Sequence, residues 1–322
     1  MDTNQIKEWS AGAQAVSLLG AAHEHGWIDF LAESRDVAAL AGFSGLPVER
    51  TRAVLEALAG IGVVESKDNE FRLAPAYAAT MSPDAPFSMG DLLAEARMMR
   101  RVVAQAVEGP LPAPDESDAL VVADAYGLRP TQTAIGLFGQ LLEALPEFAG
   151  LLPNGRYIDV GCGVAGFLLT CARTYPTMRG VGVELVAPVA AEAERRAKEL
   201  GVSDRVEIRC MDARDLPDED AFDSAFWAQP FFPEPVRADT LAAIFRALKP
   251  GAPLAMQEME RQPDDPAERA AFALRELVFT GWGVPFARSA EALTAEATDA
   301  GFVLDRMGDT PFGRLVIVRK PS

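Results

Sequence analysis

From Gly155 onward, short apolar runs alternate with stretches of helical periodicity, and this alternation restricts the fold more than any other feature of the chain. RYIDV, RGVGVEL, RVEIRCMD, FDSAFWAQ and PLAMQEME are too short to be buried helices. Between them lie GFLLTCARTYP, APVAAEAERRAKELG and PVRADTLAAIFRALKPG, whose apolar residues recur at helical spacing. Strands separated by helices pair in parallel, with the helices packed on the faces of the sheet. After the helix SAEALTAEATDAG come FVLDRM and GRLVIVRK, joined only through Asp309-Thr310-Pro311-Phe312-Gly313. A connection that short joins antiparallel neighbours. The expected fold class is therefore α/β: a Rossmann-like, mostly parallel sheet with an antiparallel last strand, spanning 151–322.

Residues 1–100 have a different pattern. AQAVSLLGAAHEHG, VAALAGFSG and PVERTRAVLEALAGIG read as helices, and VVESKDNEFRLAP reads as a hairpin around Lys67-Asp68-Asn69. Three helices followed by a hairpin form a winged-helix domain, which serves either to bind DNA or to pair subunits. Eight Lys and Arg against fourteen Asp and Glu give 8 − 14 = −6 for this region, and the third helix carries Glu49 and Glu56 beside Arg50 and Arg52. A DNA reader is basic on that helix, so pairing of subunits is favoured. Residues 101–150 include the Pro-rich acidic stretch EGPLPAPDESD and read as linker helices between the domains.

The whole chain carries a net charge of −17, which disfavours nucleic acid and anionic membranes as partners. No apolar run reaches the ~18 residues that span a bilayer. The start of the chain lacks the basic and apolar regions of a secretory signal. Three cysteines form no CxxC pair, which suits reduced thiols in the cytoplasm. His23 and His25 are the only histidines. At i and i+2 on a helix their rings diverge, and no metal site is expected.

The strongest constellation is Tyr157-Ile158-Asp159-Val160-Gly161-Cys162-Gly163-Val164-Ala165-Gly166, which ends one strand and opens a helix. Glycines there let a ligand approach the backbone and meet the helix N–H groups. Taken alone, the motif reads equally as a tight structural turn. Two more carboxylates end the next strands: Glu184, suited to both hydroxyls of a ribose, and Asp212, suited to an adenine edge. Ligands of open α/β sheets bind at the carboxyl ends of the strands. A diphosphate is repelled by Asp159 beside Gly161, whereas a ligand with an amine, a ribose and no phosphate is welcomed. S-adenosylmethionine fits that description better than NAD.

DVGCGVAG, VGVEL, CMDA, FDSAFW and LKPGAPLAM resemble the successive motifs of class I S-adenosylmethionine-dependent methyltransferases. The whole chain resembles their small-molecule O-methyltransferases, which carry an N-terminal winged-helix dimerisation domain. The resemblance implies a seven-stranded sheet of order 3-2-1-4-5-7-6, a homodimer paired through the N-terminal domain, and a small-molecule acceptor in secondary metabolism. It implies cofactor contacts at Asp159, Gly161, Gly163, Glu184, Leu185, Asp212 and Ala213. The family's general base, a histidine, falls at Pro230, and of its two orienting carboxylates only Glu258 remains, since Ala287 precedes Arg288-Ser289 where the other belongs. This leaves Glu258 as the candidate base, with Gln229 as a hydrogen-bonding partner of the substrate. The alternative is a relative that binds the cofactor without transferring its methyl group, in an elimination or cyclisation. A ligand-sensing winged-helix regulator is the third reading.

Trp227 is expected to flank the cofactor, and Phe231 and Phe232 to face the acceptor, with core packing the competing reading for both phenylalanines. The helix AERAAFALRELVFTGWG is expected to lid the pocket with Arg275 and Trp282, against a solvated Arg275–Glu276 face. Arg288 reads as an anion contact or a helix-start ion pair, and Cys162 as a small filler.

Overall fold

The computed structural model describes residues 3–143, 145–310 and 313–322, and these divide into two compact units, Met1–Arg97 and Met98–Ser322. In the first unit α1 (Thr3–Glu24), α2 (Trp27–Phe30), β1 (Arg35–Asp36), α3 (Val37–Ser44) and α4 (Val48–Gly60) precede the hairpin β2 (Val64–Lys67)–β3 (Glu70–Leu73) and α5 (Pro75–Thr80). Asp36 caps α3 by accepting the Ala39 amide at 2.7 Å. At the hairpin turn Asp68 and Asn69 both have positive φ, the geometry that matches strand twist in a two-residue loop. The strands form an antiparallel sheet of order β1-β3-β2. Ile28, Leu31, Leu40, Leu55, Leu58 and Phe71 form the core beneath it. The first helix starts at Thr3, well before the apolar periodicity that marks it in the sequence.

The division between the units falls within α6 (Met89–Gln105). The second unit then contains α7 (Glu116–Tyr126), α8 (Gln132–Glu143) and α9 (Pro146–Ala149), followed by the alternating region. Residues 101–150, expected as linkers, share this unit's core: Phe138, Leu141, Leu142 and Phe148 join the same apolar cluster as Tyr157 and Leu168. The alternation resolves into β4 (Arg156–Val160), α10 (Gly166–Thr174), β5 (Arg179–Glu184), α11 (Ala187–Glu199), β6 (Val206–Cys210), β7 (Ser224–Trp227), α12 (Arg237–Ala247) and β8 (Pro253–Glu258). The chain continues through α13 (Pro266–Gly281), α14 (Ala290–Asp299), β9 (Val303–Thr310) and β10 (Gly313–Arg319).

The seven strands lie in the order β6-β5-β4-β7-β8-β10-β9, which is the expected 3-2-1-4-5-7-6. Strands β4 to β8 pair in parallel, and β10 runs antiparallel to both β8 and β9. Of the short connection between the last two strands, Pro311 and Phe312 lie outside the described residues. Apolar residues cover both faces of the sheet, as a parallel sheet requires. Leu168, Ala193 and Ile317 belong to one layer, and Ile158, Ile244 and Leu293 to the other. No helix among the described residues is long and apolar enough to cross a membrane.

Candidate functional site

Strand order reverses between β4 and β7, so the switch point of the sheet lies at the carboxyl end of β4. The glycine-rich turn sits there. Gly161, Gly163 and Ala165 have φ of 75°, 55° and 61°, and the Gly161 and Cys162 amides donate to the Val183 carbonyl at 2.9 and 3.0 Å. The turn is therefore tied to β5 through its own backbone. A side chain at Gly161 would meet the Phe232 ring at 2.6 Å.

Glu184 points at this turn from the end of β5. Its carboxylate accepts the Gly163 amide at 3.0 Å and the Val186 amide at 2.9 Å. Burial raises its pKa above the ordinary value, opposed by those backbone donors. Asp159 lies one layer deeper, 3% exposed and bonded by the Leu168 amide of α10. Burial, aided by the nearby Glu184, raises its pKa to about 7. The Cys162 thiol is also pushed up by burial, consistent with a filler and not a nucleophile. Leu185 is 65% exposed beside Glu184, an apolar surface open at the strand end. Asp212 accepts the Arg214 amide at 2.9 Å and pairs with the Arg214 guanidinium at 2.7 Å, which lowers its pKa. Ala213 is buried behind it.

Beyond β7, several expected side chains take other roles. Trp227 is fully buried in the apolar layer, with the Arg237 guanidinium 4.7 Å from its ring, so it does not flank a ligand crevice. Gln229 has both ends of its amide engaged: Nε2 donates to the Gln257 carbonyl at 2.9 Å, and Oε1 accepts from Arg237 at 2.9 Å. It is a strut and not a free hydrogen-bonding group. Glu258 accepts the first amide of α14, Ala290, at 3.2 Å, and lies 3.9 Å from Arg314. The expected base is thus engaged with the N-terminus of α14, whose N-cap is Ser289. Phe232 rests on the Gly161 turn and on Trp227, with ring centroids 5.4 Å apart. Trp282 is partly buried against Met98, Val102, Leu111 and Val278, with its ring 5.6 Å from that of Phe279. Met98 belongs to that same cluster.

An aromatic cleft lies beside this region, and residues the sequence reading passed over build most of it. Phe231 faces Tyr126 and Phe279, with centroids 5.8 and 6.2 Å away, and Phe286 lies 5.6 Å from Phe279. Pro230 forms part of the wall. Tyr126 is brought there by α7. Asp124 on that helix pairs with buried Arg196 of α11 at 2.5 Å, and the Gly127–Leu128 backbone crosses directly over Gly166. Glu260 also lines the cleft and is held bidentately by Arg275, with both bonds at 3.0 Å. Arg275 thus pairs with Glu260 while 39% of its side chain stays exposed. Arg288 lines the cleft while pairing with Glu234 and Glu296. The cavity inside is about 20 Å³, room for about one water. The only sequence signal for Glu260 was its place two residues past Glu258 in PLAMQEME.

Residues 158–251 match the family model described as Methyltransferase domain. An S-adenosyl-L-methionine-dependent Diels-Alderase of Talaromyces variabilis is 30% identical over 149 residues, 44% of this chain and 50% of that protein. Sterol methyltransferase-like 1 of Botryococcus braunii is 28% identical over 165 residues, 50% of this chain and 41% of that protein. The chain spans about half the length, or less, of these curated relatives. An O-methyltransferase family protein from Burkholderia thailandensis superposes with a TM-score of 0.78 at 18% identity, covering 100% of this chain and 99% of that one. Human N-acetylserotonin methyltransferase, solved in complex with S-adenosylmethionine, gives 0.75 at 17% identity, covering 100% and 99%. The chain therefore carries a methyltransferase domain and folds as the class I S-adenosylmethionine-dependent methyltransferases do.

Proposed function

We propose that the protein binds S-adenosylmethionine at the β4–α10 turn and transfers its methyl group to a small molecule of secondary metabolism. The observation that carries this reading is Glu184, a carboxylate aimed at the glycine turn and fixed there by the Gly163 amide. The chemistry of the site suits the cofactor. Asp159 and Glu184 repel a phosphate when ionised, and a cation beside them would oppose the burial that raises both pKa values. When bound, the cofactor supplies an electrophilic methyl group on a positively charged sulfur. Glu184 then holds the ribose, the Gly161–Gly163 backbone and Asp159 the amino-acid end, and Leu185, Asp212 and Ala213 the adenine. The aromatic cleft excludes water and orients the acceptor, and alignment alone removes several kcal/mol of barrier.

Calorimetry with S-adenosylhomocysteine tests the reading. Glu184→Ala is expected to weaken binding by about 100-fold, the loss of hydrogen bonds to a charged group. Unchanged affinity would remove Glu184 from the site. The same titrations carry a pH dependence. Asp159 has its folded pKa raised from an ordinary 3.8 to about 7. Its stabilising protonation is complete below the unfolded value and is lost as pH rises through about 7. A ligand bearing an ammonium group favours the ionised form. Affinity is therefore expected to rise several-fold between about pH 6 and about pH 8, and Asp159→Asn to flatten the slope. A rise of equal size in Asp159→Asn would assign the effect to another group.

A second reading is favoured by Pro230, which puts no proton acceptor at the cleft position where the resembling family has histidine. On that reading the bound cofactor supports an elimination or cyclisation, and methyl-tritiated cofactor yields no labelled product. The exposed Ile6, Trp9 and Val16 of α1 support a homodimer paired through a winged-helix N-terminal unit, and a monomeric mass by light scattering would rule that out.

A further inference from the structure

A second cavity, of about 510 Å³, lies between α8, α9 and the C-terminal half of α10, and it shares no residue with the glycine turn or the aromatic cleft. Its volume is that of pockets which hold drug-sized molecules, whereas the cleft has about 20 Å³. Phe138 and Leu142 of α8, Pro146 of α9 and Tyr175 just after α10 give it apolar walls. Among the described residues that line it only Glu143 carries a charge, and Glu143 is exposed and has no ion pair among them. We infer that this cavity is a second ligand site of the protein, independent of the methyl-transfer reading, and that it takes an amphiphilic amine: an apolar, ring-sized body with an ammonium group at the end that reaches Glu143.

The inner wall is preformed. Phe138 packs against Phe167 with ring centroids 4.9 Å apart, Phe167 meets Tyr157 at 6.1 Å, and Tyr157 meets Phe148 at 5.7 Å, so a chain of rings running into the core holds the wall in place. Gly139 keeps the space open. It lies within α8 on the cavity wall, where glycine is unfavourable for a helix, and a Cβ there would meet nothing within 4 Å. Packing inside the chain therefore does not call for glycine, whereas a body that fills the cavity does. The polar groups call for a donor. Thr170 and Thr174 donate their hydroxyl protons to the Gly166 and Thr170 carbonyls at 2.7 and 2.8 Å, so towards a ligand both oxygens only accept. The Cys171 thiol stays neutral, because burial raises its pKa. The charged neighbours along the chain are committed: Glu147 of α9 pairs with Arg306 at 2.7 Å, and Arg173 donates to the Pro130 carbonyl at 2.5 Å. Glu143 is thus the carboxylate left for a cation, and it repels a ligand that ends in an anion.

The test titrates the full chain with dansyl probes of like size: dansylcadaverine, which ends in an ammonium group, dansyl n-pentylamide, which ends in a methyl group, and dansyl-6-aminohexanoate, which ends in a carboxylate. At low salt the amine is expected to bind about fivefold tighter than the carboxylate, the scale of an exposed ion pair, with the uncharged probe between them. Glu143→Gln should bring all of them within about twofold. Gly139→Leu fills the cavity with a good helix former. It should weaken every probe at least about 10-fold and raise the thermal unfolding midpoint, so that its loss of binding is not a loss of folding. Saturating S-adenosylhomocysteine should displace none of them. No binding of any probe, equal affinities for amine and carboxylate, a full preference in Glu143→Gln, unchanged binding in Gly139→Leu, or displacement by S-adenosylhomocysteine overturns the inference. Absence of probe binding together with a changed oligomeric mass in Gly139→Leu overturns it in favour of a second copy of the chain seated on this face.

Discussion

Arg237→Met is expected to lower the unfolding free energy by about 3–5 kcal/mol, the cost of breaking a buried, fully hydrogen-bonded charge network on one side. Arg237 is 2% exposed. Its guanidinium donates to the Gln229 carbonyl at 2.7 Å, to the Gln229 side chain at 2.9 Å and to Glu296 at 2.7 Å, and it stacks over Trp227. Methionine fills the space but supplies no donors, leaving the Gln229 side-chain oxygen and one side of Glu296 without partners, while the Gln229 carbonyl keeps the Phe232 amide at 3.1 Å. Arg237→Lys should recover only a fraction, because one ammonium cannot reproduce the planar fork. Urea unfolding with an unchanged slope gives the difference directly. A loss below about 1 kcal/mol would mean that the turn at Gln229–Phe231, which forms a wall of the cleft, is held by something else.

Gly166→Ala is expected to cost about 2–3 kcal/mol and to weaken S-adenosylhomocysteine binding, through the same displacement. A methyl group there would lie 2.3 Å from the Leu128 carbonyl oxygen and 3.0 Å from the Leu128 amide. Both are backbone atoms, so α10 or the segment after α7 must move. The first turn of α10 carries the cofactor turn, so the movement reaches the ligand. The same substitution at Gly136, an exposed position within α8 with nothing within 4 Å, should instead stabilise by about 0.5–1 kcal/mol, because only the helix propensity changes. Equal effects at the two sites would refute the packing argument.

The alternation of strands and helices was legible because periodicity separates the two, whereas the order of the sheet came from the family resemblance. The glycine turn and the place of Glu184 were legible because strand ends in such sheets share one edge. Side-chain direction beyond a strand end was not. Glu258 and Glu260 stand two residues apart, yet the first is engaged with the N-terminus of α14 and the second lines the cleft. The strand's alternation stops at Glu258, so the period says nothing about Glu260. Trp227 and Gln229 look like site residues in sequence because aromatic and amide side chains serve in cores and in clefts alike. What decided was Arg237, which occupies both of them from α12. Tyr126, Phe279 and Phe286 were invisible for the converse reason. Their spacing is that of any amphipathic helix or loop anchor, and their convergence depends on long-range packing such as Asp124 with Arg196.

The near absence of free space in the cleft has a kinetic consequence. Pockets that hold drug-sized molecules measure about 300 Å³ or more, so an acceptor enters only after rings such as Phe231 and Phe279 swing aside. On the methyl-transfer reading proposed above, the work of that opening would be deducted from the acceptor's affinity and would also slow departure of the product.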